Sequence, residues 1–304
     1  MSKPRRFYRD VDGILLLDKP LGLTSNAALQ QARTAFGARK AGHAGSLDPL
    51  ASGLLPICFG QATKVCGRLL NSGKTYAVAV QLGARTESLD CETEVIERAP
   101  VPALDDAKVD GVLSAFLGEQ QQIPPMHSAL KHEGARLYEL ARRGESVERE
   151  PRQIVIHRIQ RTSLRGDVLE FEVHCSKGTY IRSLAADISR ALGTLGYVTG
   201  LRRLSVEPFE GLPMVTLQDL ELGQRCGAAA LDGLLMGADT AFLDLQRIEL
   251  DGAGEAGLLQ GQTVMTVGPV GLGQLRAYSG GRFLGLVEGQ EGGKVRPTRL
   301  FVGV

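Results

Sequence analysis

The chain has 304 residues, 43% of them hydrophobic and 23% charged, with a net charge of +1. That length holds one large or two unequal domains, and the composition is that of an ordinary globular protein rather than a disordered one. No apolar run approaches the roughly 20 residues of a membrane span. After the basic start at Lys3, Arg5 and Arg6, the apolar run Ile14 to Leu17 is too short for a signal peptide, so a cytoplasmic location is expected.

The cysteines at 58, 66, 91, 175 and 226 are never spaced as C-x-x-C, and His43, His127, His132, His157 and His174 form no ligand cluster. Neither a disulfide framework nor a metal site is expected. The near-zero net charge hides an uneven distribution. Residues 1–75 carry eleven Lys/Arg against four Asp, and residues 131–165 carry nine basic against five acidic groups. Residues 217–257 reverse the balance, with two basic and eight acidic groups. Two basic stretches in a balanced chain suit a protein of which one face meets phosphates.

In chain order, Gly13–Lys19 reads as a short buried strand running into a Pro-Leu-Gly turn. Ser25 or Asn26 is expected to cap a helix with Leu29, Ala32 and Phe36 on one face, stopped by Gly37. Then comes Gly42-His43-Ala44-Gly45-Ser46-Leu47-Asp48-Pro49-Leu50-Ala51-Ser52-Gly53, the stretch around which the rest is organised. Its three glycines allow tight turns and close approach to a ligand, and His43 and Asp48 stand out among small and apolar neighbours. Asp48-Pro49 also has the form of a helix start, with Asp as N-cap and Pro at the first position.

Gln61 to Leu70 is helical in pattern. Gly73-Lys74-Thr75 imitates the end of a phosphate-binding loop. Arg68 stands where that motif needs glycine, and the segment feeds a strand rather than a helix, so a nucleotide triphosphatase is excluded. In that strand Tyr76, Val78, Val80 and Leu82 alternate onto one face. Val109 to Leu117 forms a helical stripe ended by Gly118. Val168 to Cys175 alternates as a strand, and Gly178-Thr179-Tyr180-Ile181-Arg182 enters a helix buried through Ile181, Leu184, Ala185, Ile188 and Leu192. Arg182 is placed in the first turn and off that face, where the helix dipole does not favour a cation, so another partner should hold it. Val215 to Leu235 is acidic and helical. Beyond Ile248 glycines separate short strand candidates, Arg282–Glu288 the clearest, which suggests a small β-barrel.

Read as G-H-x-G-x-L-D-P-x-A-x-G, residues 42–53 resemble the active-site motif of the TruB family of tRNA pseudouridine synthases. The resemblance extends from about Gly13 to the last residues. Lys19-Pro20 is similar to the family's K-P motif and Lys74-Thr75-Tyr76 to its K-x-Y element. Leu82 to Asp90 is similar to L-G-x-x-T-x-[ST]-x-D, Cys175 to Arg182 to C-S-K-G-T-Y-I-R, and Leu201-Arg202-Arg203 to L-R-R. Ile123 to Gly144 follows the family's insertion Q-x-P-P-x-[YF]-S-A-x-K…G…L-Y-E-x-A-R-x-G, except that His127 stands where Tyr or Phe is usual.

The resemblance implies an α+β fold: a mixed, largely antiparallel central sheet flanked by helices, with a small C-terminal PUA-like β-barrel domain. It implies a catalytic domain over 1–247, including an RNA-gripping insertion at about 123–152, and an RNA-binding domain over 248–304. The expected reaction is isomerisation of uridine-55 in the T-loop of tRNA, with no cofactor, since nothing is oxidised and no group is imported. Asp48 is the implied catalytic aspartate, as nucleophile or as base for a sugar proton. Tyr76 would lie against the flipped base and Arg182 would hold Asp48 by a forked, charge-assisted hydrogen bond. His43 would insert near the vacated space, and Tyr180 and Leu201 would wall the pocket. The Leu82–Asp90 segment is expected to serve loop order more than chemistry. The expected partner is the tRNA T-arm, bound by a monomer. The alternative is a non-catalytic tRNA-binding or RNA-chaperone protein.

Overall fold

The structure, a computed structural model, describes residues 8–301 apart from 129, 133 and 267. The basic N-terminal residues and Ala129 of the insertion motif therefore lie outside the described residues. In chain order the first elements are β1 (Gly13–Lys19), α1 (Ser25–Phe36), β2 (Ala41–His43), β3 (Ala51–Phe59), α2 (Cys66–Asn71) and β4 (Lys74–Leu82). There follow β5 (Ala84–Thr86), β6 (Val95–Arg98), α3 (Asp106–Ser114), β7 (Gly118–Gln122), β8 (Lys131–His132), β9 (Ala135–Arg136) and α4 (Leu137–Arg142). Next are β10 (Arg152–Arg165), β11 (Val168–Cys175), α5 (Ile181–Ala191), β12 (Gly196–Val206), α6 (Leu217–Cys226) and α7 (Ala228–Asp232). The C-terminal part holds β13 (Arg247–Glu249), α8 (Gly252–Leu259), β14 (Val264–Met265), β15 (Gly273–Ser279), β16 (Arg282–Gln290) and β17 (Lys294–Leu300).

Among the described residues the main sheet has eight strands in the order β1-β3-β12-β4-β11-β10-β7, with β2 paired to β3. Only β3 and β12 run parallel, so the sheet is mixed and largely antiparallel, as the resemblance implied. The apolar run of β1 is explained by its two neighbours. Ile14 and Leu16 face one core cluster while Leu15 and Leu17 face another, against α1, so both faces of the strand are buried. Tyr76, Val78, Val80 and Leu82 of β4 point into the third cluster, under the apolar face of α5. The C-terminal strands form a second sheet, β13-β15-β16-β17-β14, curled into a half-barrel consistent with a PUA-like domain.

Several boundaries differ from the sequence reading. Thr24, not Ser25 or Asn26, caps α1, its side chain accepting from the amide of Ala27, and Gly37 in the left-handed region ends it as expected. Residues Gly60–Val65 form a 3₁₀ turn before α2 rather than one continuous helix. No helix follows Asp48-Pro49, because Ala51 begins β3, so Asp48 is not a helix cap. Arg182 stands in the first turn of α5, as the spacing predicts, and is buried there.

Candidate active site

The loop between β2 and β3 is held from several sides. The Ser25 hydroxyl, freed from capping, accepts from the amide of Leu47 at 2.7 Å and lies 2.9 Å from its carbonyl, which tethers the loop to α1. The amide of Gly22 donates to the carbonyl of Pro49 at 2.8 Å, and that of Ala51 to the carbonyl of Asp48 at 3.0 Å. From β12, the buried Arg203 donates through Nε to the carbonyl of Leu54 at 2.6 Å and through Nη2 to that of Gly45 at 3.1 Å. A side chain at Gly53, where φ is +100°, would meet the Arg203 carbonyl at 2.2 Å. Only glycine lets β3 and β12 close at this point.

This loop places Asp48 beside Arg182. The Arg182 Nη2 lies 3.0 Å from Asp48 Oδ2, and the Asp48 side chain keeps 42% of its surface exposed against 5% for Arg182. The carboxylate is therefore both anchored and reachable. Arg182 does not place both prongs on Asp48, however. Nη1 lies 3.3 Å from Oδ2 of Asp90, which is 1% exposed, and donates to the carbonyl of Ser88 at 2.8 Å. Nη2 also donates to the carbonyl of His127 at 2.7 Å. Asp90 is itself fixed, its Oδ1 accepting from the Ser88 hydroxyl at 2.5 Å and from the amide of Glu92 at 2.9 Å. Leu89, between the two, has a φ of +63°, a conformation a non-glycine residue rarely takes. The Leu82–Asp90 segment thus touches the site directly.

Tyr76 and Leu201 are buried on adjacent strands in one cluster with Leu47 and Ile181. Burial pushes the Tyr76 phenol up, and the Arg203 guanidinium partly opposes the shift. Burial likewise raises Tyr180, the residue before α5. His43 ends β2 with Nδ1 buried and without a hydrogen-bond partner among the described residues, and burial, aided by Arg203, holds its imidazole below the usual value. Tyr76 and Leu201 thus lie on β4 and β12 beside the start of β3, which the Asp48 loop enters, with Tyr180 and Arg182 arriving from the start of α5. His43 pairs with Ile57 further along β3 and feels the site through Arg203.

Three groups that sequence reasoning placed in motifs but gave no role complete the surroundings: Lys19, Lys74 and Arg203, all buried. Lys19 Nζ donates to the carbonyls of Pro20 at 2.9 Å and Leu23 at 2.6 Å. Burial lowers it to about 8, with Asp48 pulling it back up. Lys74 donates to the carbonyls of Leu69, Leu70 and Ser72 and is also lowered by burial to about 8. A signal for two of them was present. Strand alternation puts residue i+2 on the same face, so Leu201 inward implies Arg203 inward, and Tyr76 inward implies Lys74 inward. Among the described residues no three His, Cys, Asp or Glu side chains converge as a metal site would require.

The arrangement presents a part-exposed carboxylate beside buried aromatic and apolar side chains, with buried cations around it. A carboxylate anchored and exposed in this way can act as a nucleophile or take up a proton.

Residues 33–181 match the N-terminal domain of TruB family pseudouridylate synthases. Residues 182–243 match the tRNA pseudouridylate synthase B C-terminal domain, and 247–301 match the pseudouridine synthase II TruB C-terminal region. A tRNA pseudouridine synthase B of Nitrosococcus oceani is 47% identical over 302 residues, covering 99% of this chain and 98% of that protein. Its counterpart in Pseudomonas fluorescens is 46% identical over 302 residues, covering 99% of both. In fold, a chain from the crystal structure of a Cbf5–Nop10–Gar1 complex superposes with a TM-score of 0.72 at 23% identity, covering 99% of this chain and 91% of that one. With both the sequence relationship and the fold in agreement, the chain belongs to the TruB family of pseudouridine synthases.

Proposed function

We propose that the protein converts uridine-55 in the T-loop of tRNA to pseudouridine, with Asp48 as the catalytic carboxylate. The observation that carries this reading is the Asp48–Arg182 pair, a half-exposed carboxylate held 3.0 Å from a buried guanidinium beside the core cluster that holds Leu47, Tyr76, Ile181 and Leu201. The relatives named as tRNA pseudouridine synthases supply the RNA class. In the reaction the N1–C1′ bond of uridine breaks, the uracil turns, C5 joins C1′, and the proton lost from C5 is balanced by one taken up at N1. Asp48 acts on the sugar during cleavage, Tyr76 stacks on the base and its hydroxyl serves the C5 proton, and Tyr180 and Leu201 close the wall. Flipping the base costs a few kcal/mol. Stacking on Tyr76, worth roughly 1–3 kcal/mol, and insertion of His43 into the vacated stack offset most of it. The insertion at about 123–152 grips the T-arm, and the C-terminal sheet extends the phosphate-contacting face. A protein that only bound RNA would gain nothing from a carboxylate facing phosphates.

The test is to map pseudouridine in unmodified tRNA incubated with the purified protein. Product is expected at position 55 alone in the T-loop. Asp48→Asn should abolish it with RNA affinity retained, and Tyr76→Phe should bind normally but stall after glycosidic cleavage. Turnover by Asp48→Asn within about tenfold of wild type, only about 1.4 kcal/mol of barrier, would remove Asp48 from the chemistry.

A further inference from the structure

We infer that Gln122 is a positioning residue that couples the base of the 123–152 insertion to the Asp48–Arg182 pair. The inference rests on the reading of Asp48 as the catalytic carboxylate. Gln122 is the last residue of β7, directly before the insertion, and its side chain is buried, with the residue only 4% exposed. A primary amide is costly to bury unless both ends are satisfied. Both ends meet one residue: Oε1 accepts from the amide of Tyr180 at 2.7 Å, and Nε2 donates to the carbonyl of Tyr180 at 3.0 Å. The side chain thus pairs with Tyr180 as a neighbouring strand would.

Tyr180 is the N-cap residue of α5, and its own side chain makes no capping hydrogen bond to the helix. Its carbonyl already accepts from the amide of Leu184 at 3.0 Å, so Gln122 uses the second lone pair. The clamp fixes the turn from which Arg182 projects two residues later. The chain beyond Gln122 continues the connection. The carbonyl of Ile123 accepts from the Ser183 hydroxyl at 3.3 Å, and that of His127 accepts from Arg182 Nη2. Residues 122, 123 and 127 therefore hold residues 180, 182 and 183.

Packing does not make this connection redundant. A cavity of about 750 Å³ lies between the insertion and α5, lined by Pro124, Pro125, Met126, Ala141, Asp187 and Arg190 among others. Across that gap the insertion can shift relative to the helix, while the polar links at its base carry the displacement to Arg182. An insertion pulled into place by RNA reports its position to the arginine that holds Asp48.

Gln122→Glu tests this with almost no change of shape. As a carboxylate it loses the donor and sets a negative oxygen against the Tyr180 carbonyl. Protonated, it restores both bonds, because the acid O–H donates and the other oxygen accepts. Burial favours the protonated form, while Arg152, opposite on β10, and Arg182 favour the ionised one. The single-turnover rate at saturating tRNA is therefore read from about pH 8 to about pH 5. It should lie about tenfold or more below wild type at the alkaline end and recover to within about threefold at the acid end, with the dissociation constant nearly unchanged. Gln122→Met, which lacks both bonds but fills the space, should be slow at every pH, and it decides the matter if Gln122→Glu unfolds. A Gln122→Glu rate that tracks wild type across the range, a Gln122→Met rate equal to wild type, or a loss confined to the dissociation constant would overturn the inference. Asp48→Asn in the same assay separates the two levels. Turnover by Asp48→Asn removes the underlying reading, whereas an inert Asp48→Asn beside a wild-type-like Gln122→Glu removes only the coupling.

Discussion

Arg182 is a buried guanidinium shared between two carboxylates and two backbone carbonyls. Its planar fork spans Asp48 on one side and Asp90 on the other, a geometry a single ammonium does not reproduce. Arg182→Lys should therefore do more than slow the chemistry. Leaving the buried Asp90 without its partner should cost about 3 kcal/mol of stability, the usual effect of breaking a buried pair. Urea unfolding measures that loss, and single-turnover kinetics at saturating tRNA should show a slower step with a nearly unchanged dissociation constant. A raised dissociation constant with a normal saturated rate would make Arg182 a phosphate clamp instead. The sequence placed Arg182 in the first turn of α5 and asked for a partner. It did not show two, because Asp90 lies 92 positions away in the chain and reaches the site through a loop.

At the scale of the element, the contact between β3 and β12 decides where the loop carrying Asp48 can sit. Gly53 pairs with Arg203 in parallel register, and a methyl group there would lie 2.2 Å from the Arg203 carbonyl and 2.9 Å from its amide nitrogen. Neither atom yields cheaply, since both belong to the sheet backbone. Gly53→Ala should destabilise by about 3 kcal/mol through overpacking and the positive φ, and should slow turnover by displacing Leu201. Gly67→Ala is the control, since Gly67 is exposed in α2 with nothing within 4 Å of the added carbon. It should be neutral or stabilising by about 0.5–1 kcal/mol. Thermal melting of the two variants checks both expectations, and equal melting temperatures would show that the sheet spreads to admit the methyl group.

Across the whole molecule, the C-terminal sheet is docked and not merely appended. Leu286 and Phe301 share a core cluster with Ile14, Leu16 and Phe242. Phe301 meets Phe242 at 6.0 Å and Phe283 at 5.2 Å between ring centroids. Lys64 donates to the carbonyl of Leu300 at 2.7 Å, and Arg299 to that of Lys64 at 2.8 Å. Arg68 donates to the carbonyl of Ala241 at 2.7 Å and lies over the Phe242 ring. Phe301→Ala should cost about 3 kcal/mol, and hydrogen exchange should show amides of β1 and β16 losing protection together. Loss confined to β16 would mean that the two sheets open independently.

Local rules written in the chain were enough for many features. The alternation in β4, the apolar run of β1, the stripe of α5 and the stop at Gly37 follow from residue type and spacing, because backbone geometry repeats every two or 3.6 residues. The same alternation carried Tyr76 inward, whereas Leu201 was marked only by its likeness to the L-R-R motif. The cap of α1 was misplaced by one residue because Thr24, Ser25 and Asn26 are equally good caps in isolation. Tertiary contact chose Thr24 by binding Ser25 to Leu47. The division of Arg182 between Asp48 and Asp90 was likewise decided only by the fold, as was the clamp of Gln122 on Tyr180. Each joins segments distant in sequence, and no local periodicity records which of several polar groups will end up facing one another. Spacing determined which way side chains point, and only the closing of the sheet determined what they meet.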